Sequence, residues 1–220
     1  MIILIGNQKG GVGKSTFTLL LANYLTQLRY CKVTVLDLDP QQSIVQQYQK
    51  AKLLENKEPY EVRSASLEDF PTLLPALHLN PEELTLIDLP GRLDEDGLIP
   101  VVSSADLVLC PFCYDEFSFG STVLFSVVLQ KINPELELAY IPNRMMANLS
   151  DDTLQEVDRQ LGKFGLVTYG LPDWIDFQWV NTLHTPEIVL PLVRRVMDQL
   201  FTRYLSFLLE DLSAGELNDD

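Results

Sequence analysis

The sequence predicts an α/β fold with a mostly parallel central sheet and helices on both faces, and three observations predict it. Short β-branched runs alternate with helical patterns along the whole chain. Several of these runs are apolar at every position, the pattern of strands buried on both faces. Two such runs end in aspartate and a third ends in a glycine-rich turn, so polar chemistry gathers at strand ends.

In chain order, a strand over Ile2–Gly6 leads through that glycine-rich turn to a helix over Ser15–Arg29, and a strand over Lys32–Asp37 to a helix over Gln41–Leu54. The turn residues Asn56–Pro59 introduce a strand Tyr60–Arg63 and a helix Leu67–His78; Asn80–Glu82 introduce a strand Leu84–Asp88. The second half reads as helix Leu98–Ser104, strand Leu107–Pro111, helix Ser118–Lys131, strand Leu138–Pro142, helix Asp152–Lys163 and strand Leu166–Leu171. A last helix starts near Pro186–Pro191 and runs to about Leu209. Its apolar positions, Leu192, Val193, Val196, Met197, Leu200, Phe201, Tyr204 and Leu208, keep a three- to four-residue spacing and form one sticky face. No repeat or low-complexity block is present, so a single domain is expected over residues 1–212, with a frayed acidic tail over 213–220.

The 220 residues carry 16 Lys+Arg against 31 Asp+Glu, a net charge of −15, so long-range attraction to DNA or anionic lipid is not the default expectation. A hydrophobic share of 46% with 21% charged residues argues against wholesale disorder. No apolar run reaches the roughly 18–20 residues that span a bilayer. Gly6 and Lys9 interrupt the first run too early for a signal peptide. Three cysteines give no disulfide framework, which fits a reducing compartment and makes the cytoplasm the expected location.

The stretch Asn7-Gln8-Lys9-Gly10-Gly11-Val12-Gly13-Lys14-Ser15-Thr16 lies between a strand and a helix, the context a P-loop requires. Glycines let successive N–H groups point into one concavity that binds phosphate oxygens, and the helix N-terminus adds positive potential there. Lys14 would reach the β- and γ-phosphates, and Ser15 is placed to ligate Mg²⁺. The generic pattern wants a glycine where this chain has Gln8. With that departure, Lys9 to Thr16 resembles the deviant Walker A box of the ParA/MinD ATPases, which carries a second, signature lysine. The resemblance implies that Gly10, Gly11, Val12, Gly13, Lys14, Ser15 and Thr16 hold the ATP phosphates.

Asp37-Leu38-Asp39-Pro40-Gln41 resembles the family's switch I box, and Asp88-Leu89-Pro90-Gly91 its Walker B and the start of switch II. The resemblance implies Asp39 as the acid that orients the hydrolytic water. Asp37 and Asp88 would support Mg²⁺, largely through water, and Gly91 would offer its N–H to the γ-phosphate. Taken alone, either aspartate also reads as a strand-end acid capping the next helix. Lys9 is expected to reach the partner's nucleotide across a homodimer interface, so catalysis is assigned to Lys9, Lys14 and Asp39. Asn143, in the pair Asn143-Arg144, resembles the residue that reads the adenine edge; a plain turn after the strand is the other reading. Pro172, in Leu171-Pro172-Asp173, resembles the loop that closes over the base.

The resemblance is to the short partition ATPases and covers Met1 to about Leu209. It implies the core strand order 3-2-4-1-5 and no separate N-terminal DNA-binding domain. It also implies an ATP-dependent homodimer, an activating partner protein and weak DNA binding through Arg194, Arg195 and Arg203 on the last helix. That arginine set reads equally as a solvated helix face. The acidic tail disfavours membrane attachment. A nucleotide switch that positions a protein complex, and a small-molecule kinase or synthetase of the same class, are the competing functions. Cys110 and Cys113 have CxxC spacing, but no histidine lies near them in sequence, so they read as structural thiols. His184, Trp174 and Trp179 read as packing or partner-surface residues.

Overall fold

The structure is a computed structural model that describes residues 1–80, 82–91, 95–147 and 149–208. The expected domain end at 212 and the tail over 213–220 lie outside the described residues. Seven strands, β1 (Ile2–Ile5), β2 (Lys32–Asp37), β3 (Glu61–Ser64), β4 (Glu83–Asp88), β5 (Leu107–Phe112), β6 (Glu137–Pro142) and β7 (Leu166–Val167), form one sheet. Their order is β3-β2-β4-β1-β5-β6-β7 and every pairing is parallel.

Because side chains alternate across a strand, the fully apolar strands build two cores at once. Ile3, Ile5, Val33, Val35, Leu84, Leu86, Leu107 and Leu109 face one side and pack with α1 (Lys14–Leu28), α2 (Ser43–Leu53) and α7 (Leu190–Leu200). Ile2, Leu4, Ile87, Val108, Cys110, Phe112, Leu138 and Tyr140 face the other, against α3 (Phe70–Leu77), α4 (Glu95–Ser103), α5 (Glu116–Ile132) and α6 (Asp151–Leu161). Register places the chemistry: Asp88 is level with Ile5 on one side and with Asp37 on the other. The exit of β1 into the glycine-rich turn therefore lies beside both acids at the carboxyl edge of the sheet. Among the described residues no helix is long and apolar enough to cross a membrane.

Several element boundaries depart from expectation; α3 begins three residues later than Leu67 and α4 three residues earlier than Leu98. α5 begins two residues earlier than Ser118 because Asp115 caps it, its carboxylate accepting from the Ser118 N–H at 2.9 Å. The expected strand Leu166–Leu171 stops at Val167. The Thr168 N–H still reaches the Tyr140 carbonyl of β6 at 2.9 Å, but the Tyr169 N–H turns to the Gln199 side chain at 3.0 Å, and bonding to β6 resumes where the Leu171 N–H reaches the Pro142 carbonyl at 2.8 Å. The last helix starts at Leu190 and widens into a π-helical turn over Phe201–Leu205. A 3₁₀ helix over Ile175–Trp179 was not anticipated.

Candidate nucleotide site

The phosphate loop is fixed at its entry by Asn7, a residue that the glycine pattern does not single out. Asn7 is fully buried; its Nδ2 donates to the Pro111 carbonyl at 3.0 Å and to the Thr122 hydroxyl at 2.7 Å, and its Oδ1 accepts from the Lys9 N–H at 3.0 Å. One amide thus ties the loop to β5 and α5. Gly11 and Gly13 have φ of 79° and 91°, the left-handed region where a Cβ would be strained, which is why glycine stands at both. Gly13 is the residue before α1, and Lys14, Ser15 and Thr16 form the helix's first turn.

Lys14 is buried, and burial lowers its ammonium pKa while Asp88 and Asp39 oppose that shift. Ser15 Oγ donates to Asp88 Oδ2 at 2.6 Å, and Thr18 Oγ1 donates to Asp88 Oδ1 at 3.1 Å. Burial pushes the Asp88 carboxyl up to about 7 despite those two hydroxyls and Lys14. Asp37 is also fully buried, and burial raises its pKa. Its oxygens accept from three main-chain N–H groups: Asp39 at 3.1 Å, Ile44 at 3.1 Å and Val45 at 3.3 Å. The last two belong to the first turn of α2, so Asp37 caps that helix from the strand end. Asp39, by contrast, lines an open cleft of about 610 Å³ with Gln8, Lys9, Gly10, Pro40, Gln41, Pro90 and Gly91. Gly91 closes in on the loop: a Cβ there would lie 3.4 Å from Lys14 Nζ and 3.6 Å from Gly10 Cα.

The candidate metal donors gathered here are oxygen only: the hydroxyls of Ser15 and Thr18 and the carboxylates of Asp37 and Asp88. Among the described residues no three of His, Cys, Asp or Glu converge to form a cage. That set fits Mg²⁺, which keeps water and takes ligands from substrate phosphates, and does not fit an all-protein metal site.

A second cavity of about 270 Å³ opens off the loop beside α1, lined in part by Gly13, Thr16, Phe17, Asn143, Arg144 and Pro172, with Asp173, Trp174, Phe177 and Gln178 across from them. Asn143 Nδ2 donates to the Val12 carbonyl at 2.8 Å, and its main-chain N–H reaches the Phe112 carbonyl at 2.7 Å. A Cβ on Gly13 would overlap that amide, a second reason for glycine there. Trp174, read from sequence as packing or partner surface, stands in the cavity wall. The outer wall falls on the unanticipated 3₁₀ helix, whose five residues carry no periodic signal.

Lys9 points outward, its Nζ 5.9 Å from the centroid of the Phe117 ring. Arg194, Arg195 and Arg203 are exposed, and two of them share a separate shallow cleft with Glu187 and Asp198. Arg195 stacks on Tyr169 at 3.7 Å. The three cysteines are free; Cys110 is fully buried, and burial raises the pKa of both Cys110 and Cys113.

Comparison with known proteins bears on the fold and the family. The family model described as the CobQ/CobB/MinD/ParA nucleotide binding domain matches residues 3–204. A chain described as a plasmid partition protein from Borrelia burgdorferi B31, solved with AMPPNP, superposes with a TM-score of 0.72 at 22% identity, covering 92% of this chain and 98% of that one. An ATP complex of a McdA variant from Cyanothece has a TM-score of 0.71 at 15% identity, covering 91% and 95%. MinD from Aquifex aeolicus gives 0.68 at 19% identity, covering 90% and 94%. At these identities the likeness is one of fold. No curated protein matches the chain significantly by sequence. With a match over nearly its whole length, the chain belongs to the CobQ/CobB/MinD/ParA family of nucleotide-binding domains.

Proposed function

We propose that the protein is a Mg-ATP-dependent ATPase of ParA type that dimerises in the ATP state and uses hydrolysis as a switch for DNA partition in the cytoplasm, stimulated by a partner protein. The observation that carries this reading is the convergence of Lys14, Ser15, Asp88 and Gly91 on the glycine loop, with Asp39 facing the same cleft. Ser15 and, by way of water, Asp37 and Asp88 would hold Mg²⁺, which would supply positive charge to offset that of the phosphates. Lys14 neutralises the β- and γ-phosphates from within the loop. The N–H groups of residues 10–16 and of Gly91 hold phosphate oxygens, and Asp39 orients the attacking water. Asn143 and Pro172 hold the base. Lys9, turned away from its own loop, acts on the nucleotide of a second copy as an arginine finger does. This division of labour is why the lysine pair, and not Lys14 alone, belongs to the catalytic set.

ATP turnover and oligomeric state, measured on wild type beside two variants, test the reading. Lys14→Ala loses nucleotide-driven dimerisation. Asp39→Ala keeps the dimer and slows hydrolysis on the order of 10²-fold or more, because only the water-orienting acid is gone. An Asp39→Ala protein that turns over ATP at the wild-type rate would overturn the assignment.

The interleaving of Glu187 and Asp198 with Arg194 and Arg195 favours one second reading. In it the same switch positions a protein complex in place of DNA.

A further inference from the structure

We propose that Phe117 is a positioning residue for Lys9: its ring holds the lysine ammonium outward, away from the acids of its own cleft, until a second copy of the chain arrives. This rests on the reading of Lys9 as a cation that acts across a dimer. Phe117 is 77% exposed, an unfavourable place for a large aromatic side chain unless it has a partner there. Helix fraying does not explain it, because Asp115 caps α5 and fixes its first turn. Asn7 then sets the distance between ring and ammonium. Its Oδ1 holds the Lys9 main chain at 3.0 Å while its Nδ2 holds Thr122 of α5 at 2.7 Å. The two backbones that carry Lys9 and Phe117 are thus fixed relative to each other by one buried side chain. Lys9 Nζ stands 5.9 Å from the ring centroid, within reach of cation–π attraction.

The competing place for this ammonium is across the cleft. Lys9 and Asp39 line the same opening, and Lys14 already faces Asp39 and Asp88. A Lys9–Asp39 ion pair would fill the phosphate site with the protein's own charges and occupy the water-orienting acid. Among the described residues Lys9 makes no ion pair. An aromatic face suits the holding role, since it attracts the cation without neutralising it and yields readily to a partner's phosphates.

The test combines proton NMR of the nucleotide-free protein with a double-mutant cycle on ATP-dependent dimerisation. The ring current of Phe117 should shift the Lys9 ε-methylene protons upfield; Phe117→Leu removes the shift and Phe117→Trp restores it. In ATP, Phe117→Leu weakens dimerisation by about two- to five-fold, the scale of an exposed cation–π contact, and Phe117→Trp retains wild-type affinity. In a Lys9→Ala background Phe117→Leu has no further effect. An equal loss in both backgrounds sinks the proposal, because the ring would then contact the second copy directly; so does a Lys9 proton shift that Phe117→Leu leaves unchanged. If Lys9→Ala alone dimerises and hydrolyses ATP like wild type, the trans-acting reading falls and the proposal with it, a result distinct from the other two.

Discussion

A main-chain carbonyl can only accept a hydrogen bond, so Nδ2 is the Asn143 atom that faces the Val12 oxygen at 2.8 Å. Among the described residues Oδ1 has no hydrogen-bond partner beside the cavity that Asn143 lines. An acceptor there suits the 6-amino group of adenine and opposes the 6-oxo group of guanine. On the proposed reading of Asn143 as the base reader, the Val12 carbonyl of the glycine loop sets the polarity of that reader. Asn143→Leu removes both the bond to the Val12 carbonyl and the acceptor that faces the cavity. ATP affinity should fall on the order of ten-fold, and the preference for ATP over GTP should shrink. Displacement of a fluorescent ATP analogue by each nucleotide measures both, and an unchanged preference would show that Asn143 does not read the base. Neither the bond nor its direction is visible in the sequence, where Asn143 reads equally as a turn residue. The loop glycines were legible because their spacing is itself the signal, whereas Asn7 carries no pattern and is recognised only by its three hydrogen bonds.

The strands and most helices could be read to within two residues because apolar runs and strand-end aspartates mark their limits. β7 could not. Leu166 to Leu171 has the composition of a strand, yet its pairing is decided by partners remote in sequence: the Tyr169 N–H goes to Gln199, on α7. Gly165 shows what holds this edge in place. A Cβ on it would overlap the Leu138 carbonyl of β6, so β7 can approach only as glycine precedes it. Gly165→Ala should destabilise the fold by roughly 1–3 kcal/mol through that overlap. Gly120 on α5 supplies the control, since a Cβ there meets nothing within 4 Å. Gly120→Ala should be neutral or stabilise by about 0.5–1 kcal/mol, as expected for alanine in a helix interior. Urea midpoints of the two variants decide the matter; equal midpoints would mean that the β6–β7 approach is not tight.

Across the whole molecule, the net charge of −15 is the term that any DNA contact must overcome, and dimerisation doubles it. The arginines that would overcome it are not all free to do so. Arg195 is stacked on Tyr169, and the neighbouring Asp198 is held by Arg29 at 2.7 Å and by the Tyr24 hydroxyl at 2.5 Å, in a network that docks α7 on α1. That network keeps one acid beside Arg194 and Arg195 in every state in which α7 stays packed. Three arginines per subunit give at most six phosphate contacts in a dimer, so the salt dependence of DNA binding should have a log–log slope of roughly −5. Arg194→Ala combined with Arg203→Ala leaves one arginine per subunit, and the slope should relax to roughly −2. Without ATP the set is not doubled and no shift of DNA is expected. Gel shifts at stepped salt, with and without ATP, on protein whose dimerisation is checked in the same buffer, measure all three. A chain that dimerises in ATP yet shifts no DNA at low salt would remove the DNA cargo and leave the switch itself standing. The acid-interleaved face of α7 would then be read as a contact for a protein cargo, because an acidic surface that spends its arginines on internal stacking has little left for a polyanion.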